Sequence, residues 1–309
     1  MTTVPRLVVR GVTVDLTRPA LMGIVNATPD SFSDAGGHST TAARVALAVE
    51  LAEAGAVIVD VGGQSGVTGV PEVPVEDEVA RVVPVVAGIH EAVPDLAISV
   101  DTYRPAVVEA VLEAGAAIVN DVSGLLYPEV GRLCAEAGAG LVVMHTRAAP
   151  KVKVLDPGLY GSPAAGEGVV ADVVAFLGDR LAAATAAGVP ADATIVDPGP
   201  DFAKTPVQTI EMLRGLDQLW ALGRPVLLAL SRKDFVGAVT RRPPRQRTAG
   251  TLAAIGALAG PGTILRVHDV AAVVDYLAVA DVLAGRTEVP PDLVLDPSLR
   301  KTPPAGGPA

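Results

Sequence analysis

Cysteine, aromatic residues and clustered charge are all scarce in this sequence, and each shortage narrows what the chain can be. One cysteine, Cys134, in 309 residues excludes an intrachain disulfide framework and a multi-cysteine metal site, so a reducing, cytoplasmic setting is expected. Aromatic residues make up only 3% although half the residues are apolar. The core must therefore be built from Val, Leu, Ile and Ala, which suits buried parallel strands beneath closely packed helices and argues against disorder. Lys and Arg number 24 against 34 Asp and Glu, a net charge of 24 − 34 = −10, and no block of positive charge is longer than Arg241-Arg242. Neither a nucleic-acid surface nor an anionic-membrane surface is expected from that balance. Long apolar runs are missing too. No stretch reads as a membrane span, and residues 1–19 lack the apolar core of a secretory signal.

What the chain does have is a repeat. Short β-branched runs at 21–25, 57–61, 97–100, 117–119, 140–144, 194–196, 225–230 and 263–267 alternate with Ala/Val/Leu/Glu segments at 41–54, 75–92, 105–114, 128–137, 167–187, 206–222, 248–259 and 269–284. Several of the longer segments open on Pro and close on Gly, as in Pro105…Gly115, Pro128…Gly138 and Pro206…Gly223, which is how helices start and stop. Strand then helix, eight times without a break in composition, predicts an α/β protein with one (β/α)8 TIM barrel at 21–287. Residues 1–20 would form an N-terminal strand or cap region and 288–309 a Pro/Gly-rich, loosely attached tail. A doubly wound open sheet is the alternative, but it normally stops at five or six strands.

In such barrels the active site lies at the carboxyl ends of the strands, and the residues found there are unusual ones. Successive runs end in Asn26, Asp60, Asp101, Asn120-Asp121, His145, Asp197, Ser231-Arg232-Lys233, and Arg266 with His268. Asp30, Asp121 and Asp269 read as turn or cap residues. Asp101, Asn120, Asp197 and Lys233 together suit a flat heterocycle with ring nitrogens and an amino group, because carboxylates accept from N–H while the amide both donates and accepts. Asn26, Arg266 and His268, from adjacent strands, suit a phosphate or pyrophosphate, with Asn26 as an oxygen ligand for Mg2+. No zinc spacing, phosphate-binding loop or nucleophile elbow is present, and Cys134 falls on an apolar helix face.

The blocks Asn26-Ala-Thr-Pro-Asp-Ser-Phe-Ser-Asp34, Asp60-Val-Gly-Gly63, Ser99-Val-Asp-Thr102, Asn120-Asp-Val-Ser-Gly124, Met144-His145, Asp197-Pro-Gly199, Phe202-Ala-Lys-Thr205, Ser231-Arg-Lys233, Gly250-Thr-Leu252 and Arg266-Val-His-Asp-Val270 resemble, in order and at barrel spacing, the dihydropteroate synthase family. That resemblance implies condensation of a pterin-methyl pyrophosphate with p-aminobenzoate, assisted by Mg2+, with release of pyrophosphate. It implies pterin contacts at Asp101, Asn120, Asp197 and Lys233, with Met144 as an apolar wall, and pyrophosphate contacts at Asn26, Arg266 and His268, Asn26 also meeting the metal. Asp101, Lys233, Arg266 and His268 would carry catalysis through a dissociative path in which leaving-group charge is neutralised and a methylene cation is stabilised. The resemblance also implies a homodimer.

This chain departs from the family pattern where the second substrate belongs. The family's Gly-Gly-Glu-Ser-Thr-Arg-Pro-Gly loop reads Gly62-Gly63-Gln64-Ser65-Gly66-Val67-Thr68-Gly69, so an arginine is replaced by Val67. Asp201, before Phe202, stands where the family has Gly, and Asp234 where it has Ser. The expected second-substrate pocket is therefore Ser65, Gly66, Val67, Thr68, Asp201, Phe202 and Asp234. A benzoate meeting Asp234 at ~4 Å would be repelled by about 4 kcal/mol at an effective dielectric near 20. The opposing possibility is that Asp234 caps a helix or pairs with Arg232 or Arg247. Four functions remain open at this point: a synthase with an altered loop, a transferase using a less anionic nucleophile, a non-catalytic pterin-binding paralogue, and a methyltransferase of the same superfamily.

Overall fold

The chain begins with a hairpin. β1 (Leu7–Val9) and β2 (Val12–Val14) pair antiparallel across Arg10-Gly11, both at positive φ (44° and 83°), the turn that matches strand twist. Leu7 and Val9 are fully buried. Gly140, which the hairpin covers, has no room for a side chain, since a Cβ there would stand 2.5 Å from Val9 Cγ1. The Arg10 guanidinium donates to the carbonyls of Leu112 and Ala116 at 2.6 and 2.9 Å. The hairpin thus closes the amino-terminal mouth of the barrel.

The computed structural model describes residues 6–28, 40–64, 69–161 and 168–299. The eight β-branched runs become the parallel strands β3 (Ala20–Asn26), β4 (Ile58–Gly62), β5 (Ala97–Asp101), β6 (Ile118–Asp121), β7 (Gly140–Met144), β8 (Thr194–Asp197), β9 (Val226–Leu228) and β10 (Thr263–Val267). They close in the order β10-β3-β4-β5-β6-β7-β8-β9, so the fold is the expected single (β/α)8 barrel. Buried Val, Leu, Ile and Ala fill the space between sheet and helices, as the scarcity of aromatics requires.

Around the barrel lie α1 (Thr41–Glu53), α2 (Val75–Ala92), α3 (Pro105–Glu113), α4 (Pro128–Ala137), α5 (Val169–Ala186), α6 (Pro206–Arg214), α7 (Leu216–Trp220), α8 (Asp234–Thr240), α9 (Thr248–Leu258) and α10 (Val270–Leu283). Their ends are chemically marked. Pro opens α3, α4 and α6, Gly138 closes α4 in the left-handed conformation, and Thr205 with Gln208 forms a capping box on α6. Two expectations need correction. The segment 206–222 is two helices, because Gly215 interrupts it where a Cβ would meet Val170 Cγ1 at 2.7 Å. The run 225–230 forms a strand only over Val226–Leu228, as β8 is paired through Val196 and Val226 alone. Helix α8 was not expected at all. Among the described residues no helix is long and apolar enough to cross a membrane. Residues 300–309 lie outside the described part.

Candidate active site

Strand register places the polar strand ends side by side: Asn26 beside Gly62, Gly62 beside Asp101, Asp101 beside Asn120, and Met144 beside Asp197. One layer deeper, Asp60 is fully buried and accepts from three donors: Ser99 Oγ at 2.6 Å, Asn120 Nδ2 at 3.1 Å and Arg266 Nε at 2.6 Å. Arg266 turns its other nitrogen to Asp101 Oδ2 at 3.2 Å. One guanidinium thus ties two carboxylates together, and the first carboxylate holds the amide of Asn120. Arg266 was expected to serve a pyrophosphate alone; its charge is also committed to Asp60 and Asp101. Asn120 Oδ1 is buried without a hydrogen-bond partner among the described residues. An orphaned acceptor at that depth costs free energy unless a donor arrives.

The charges at this floor are poised by burial. Desolvation raises the Asp197 carboxyl to about 6, against the Gly199 N–H it accepts and the positive charges of Lys233, Lys204 and Arg266. Burial likewise raises Asp101, opposed chiefly by Arg266. Lys233 is shifted down by burial, with Asp201 and Asp197 opposing. Such shifts concentrate at functional sites. Asp121 is spent on a local turn, accepting from the N–H and hydroxyl of Ser123 at 2.7 and 2.6 Å, as expected. Asp269 caps α10 through Ala272 N–H. Asp30 lies outside the described residues.

Above the floor opens a cavity of roughly 400 Å3 whose wall includes Gln64, Asp101, Tyr103, Lys151, Asp201, Phe202, Lys204, Lys233 and Asp234. The structure therefore brings Asp101, Lys233, Asp201, Phe202 and Asp234 to one space. Asn120, Met144 and Asp197 are not on its wall but buried, at 2%, 1% and 4% exposure. Asn26, Arg266 and His268 also lie off that wall, half-buried at the ends of the neighbouring strands β3 and β10. His268 Nδ1 is 2.9 Å from Ser231 Oγ. Lys233 Nζ stands 4.5 Å over the Phe202 ring, a cation–π contact that couples the loops after β8 and β9.

The two extra carboxylates line the cavity but are each engaged by protein groups. Asp201 Oδ2 accepts from the Asp234 N–H at 2.5 Å and its Oδ1 from Thr209 Oγ1 at 3.1 Å. It thereby caps the start of α8, a role no local pattern announces. Asp234, 69% exposed at its side chain, pairs with Arg247 at 3.1 Å. The repulsion expected from these residues is offset locally, and the pairing with Arg247 is the possibility that holds. Ser65, Gly66, Val67 and Thr68 lie outside the described residues. Their neighbour Gln64 donates to Glu78 Oε2 at 2.8 Å, and Glu78 is also paired with Arg104.

Residue-by-residue reading of the strand ends noted Asp60 and His145 but gave them no task, and it passed over Asp172 and Lys204. His145 Nε2 lies 2.8 Å from Asp172 Oδ1, and His145 Nδ1 lies 2.8 Å from Lys204 Nζ. Arg147 closes on the same Asp172 with two nitrogens. The available signal was the lysine in Phe202-Ala203-Lys204-Thr205, two residues after the phenylalanine of the second-substrate loop.

Comparison with known proteins gives the same picture. The family described as "Pterin binding enzyme" matches residues 22–268. A dihydropteroate synthase of Streptococcus pyogenes serotype M1 is 42% identical over 257 residues, 82% of this chain and 91% of that protein. One from Synechocystis sp. is 37% identical over 260 residues, 82% of this chain and 86% of the other. Among solved structures, Xanthomonas albilineans dihydropteroate synthase with 4-aminobenzoic acid superposes with a TM-score of 0.80 at 42% identity, covering 93% of this chain and 100% of that one. Yersinia pestis dihydropteroate synthase with a sulfonamide drug reaches 0.83 at 34% identity, covering 91% and 99%.

Proposed function

The chain belongs to the pterin-binding enzyme family, and on that premise we infer that it is a dihydropteroate synthase, a transferase of folate biosynthesis that joins a pterin-methyl pyrophosphate to p-aminobenzoate. The observation that carries this reading is the buried Asp60–Arg266–Asp101 and Asp60–Asn120 network at the strand ends, in a chain 42% identical to a curated synthase along most of its length. The paralogue readings, a transferase for another nucleophile or a non-catalytic pterin binder, rested on Val67 in place of an arginine and on Asp201 and Asp234; both carboxylates are engaged in local structure, and Val67 lies outside the described residues.

In the chemistry that follows, the pterin ring lies against the floor. Its N–H groups meet Asp101 and Asp197 and the orphaned Oδ1 of Asn120, Lys233 donates to ring acceptors, and Met144 backs the apolar side. The bond from methylene carbon to pyrophosphate oxygen breaks with its electron pair on oxygen, where Arg266, His268 and Asn26 receive the charge. The carbon left behind is electron-poor, and Asp101 is the carboxylate placed to stabilise it. The arylamine, its ring stacked by Phe202, gives its nitrogen lone pair to the new C–N bond, and the proton the nitrogen loses passes to the released pyrophosphate. Because Arg266 spans Asp60 and Asp101, the same cation that receives the leaving group also holds the floor in shape.

Among the described residues no cluster of three acidic, His or Cys side chains forms a cage for a metal. A single amide oxygen at Asn26 fits Mg2+ that is carried in by the pyrophosphate, since Mg2+ keeps most of its ligands from phosphate and water. Bound there, the ion would neutralise pyrophosphate charge. The outer faces of α9 and α10 fit a second copy of the chain. Only Thr251 and Ile255 of α9 and Val270 and Val273 of α10 are buried, while Val279, Val282 and Leu283 are exposed. Sedimentation of the wild type and of Leu283→Asp tests this, a dimer becoming a monomer.

A pyrophosphate-release assay with pterin pyrophosphate, with and without p-aminobenzoate, tests the activity. Release that depends on p-aminobenzoate is expected. Pterin binding by calorimetry with no turnover would overturn the synthase reading.

A further inference from the structure

Lys204 is among the largest fully buried side chains, 1% exposed. Its ammonium group has three hydrogens and three close acceptors, His145 Nδ1 at 2.8 Å, Gly199 O at 3.0 Å and Phe202 O at 3.1 Å, with His145 O farther off at 3.5 Å. For His145 Nδ1 to accept, the ring must carry its proton on Nε2, which then donates to Asp172 at 2.8 Å. Burial holds His145 down at about 4, so it stays neutral and keeps that acceptor. Arg147 fixes Asp172 in turn. The chain Arg147–Asp172–His145–Lys204 thus ends on the two carbonyls that bracket the loop 199–202.

That loop needs holding. Asp201 and Ala203 both sit at positive φ, 66° and 50°, conformations that side-chain-bearing residues adopt only when the surroundings impose them. Tyr160 donates to Ala203 O at 2.8 Å from the other side. The loop presents Phe202 to the cavity beneath Lys233.

Resting on the synthase reading, we propose that Lys204 is a positioning residue for the second substrate: oriented by His145 and Asp172, its ammonium clamps Gly199 and Phe202 so that the Phe202 ring is set for the arylamine. The groups that face Lys204 are His145 just after β7, Asp172 of α5, Asp197 of β8, Asp201 of the loop and Lys233 before α8. Burial brings its ammonium down to about 7. The clamp is therefore complete below that pH and loses a donor above it.

Lys204→Met keeps the length of the stem and removes the donors. The expected result is a KM for p-aminobenzoate raised about tenfold, with affinity for pterin pyrophosphate alone unchanged within about twofold. Wild-type KM for p-aminobenzoate also climbs as pH passes about 7, and this climb is absent from the variant. An unchanged arylamine KM, or equal loss for both substrates, overturns the proposal. Hydrogen exchange across 199–205 reads the same clamp without turnover: faster exchange in Lys204→Met supports it and identical exchange overturns it, even if the synthase reading fails. Should that variant not fold, Asp172→Asn, which leaves Lys204 in place but frees the His145 tautomer, is read by the same split between substrates.

Discussion

Asp60→Asn isolates what the charge at the bottom of the site contributes. The substitution preserves shape, and the amide can flip so that its oxygen faces Asn120 and Arg266 while its nitrogen donates to Ser99 Oγ, the hydroxyl switching to acceptor. What disappears is the carboxylate charge 2.6 Å from Arg266 Nε. At that separation and an effective dielectric of 20 the direct attraction is roughly 6 kcal/mol, much of it offset by the desolvation of a fully buried carboxylate. The net loss, by comparison with hydrogen bonds to charged groups, is about 2–3 kcal/mol. For a chain of this size that lowers Tm by roughly 3–5 °C. Arg266 keeps Asp101 but loses its deeper anchor, and the pterin site loosens with it, so affinity for pterin pyrophosphate falls about tenfold. Thermal melting and calorimetry on the same preparation measure both. A Tm within about 1 °C of wild type together with unchanged pterin affinity would refute the argument that Asp60 organises this floor.

Three further outcomes are expected. The carboxyl of Asp197 is raised to about 6, so kcat/KM for the pterin substrate should fall on the acid side of that pH as the carboxylate gains a proton and ceases to accept; a profile flat down to pH 5 would contradict it. Gly199→Ala places a Cβ 2.1 Å from His145 O at a residue with φ +64°, which should cost more than about 2 kcal/mol in denaturant unfolding. Asp234→Ser removes an exposed partner of Arg247, so stability should change by less than about 1 kcal/mol. Its KM for p-aminobenzoate should stay within about threefold; a tenfold improvement would restore the repulsion that the pairing with Arg247 offsets.

The barrel was legible because each strand is buried on both faces and so reads as a compact β-branched run, while prolines, glycines and Thr caps mark the helices between. The rim was legible for a related reason: a residue such as Asp101 or Asn120 directly after such a run has nowhere to point but the carboxyl end of the barrel. What stayed hidden depends on pairs distant in sequence. Helix α8 is seven residues long, with Val236, Gly237 and Val239 as weak helix formers, and its cap is the carboxylate of Asp201, 33 residues earlier. The break at Gly215 follows from contact with Val170 on another helix. Asp60 looked like one strand end among eight until Arg266, 206 residues later, was seen to bind it. Lys204 drew no role from its sequence because nothing nearby shows that His145 and two carbonyls surround it.

The amino-terminal hairpin gives the barrel one stopper and therefore one doorway. With Leu7 and Val9 packed under Gly140 and Arg10 bonded to the Leu112 and Ala116 carbonyls, all traffic passes over the strand ends that carry Phe202 and Lys233. On the proposed reading, a reactant that settles on Asn120 and Asp197 goes in ahead of one that stacks on Phe202, and the joined product backs out the way both came. Which end of the barrel stays open is thus set by eight residues at the far end of the molecule, Leu7–Val14.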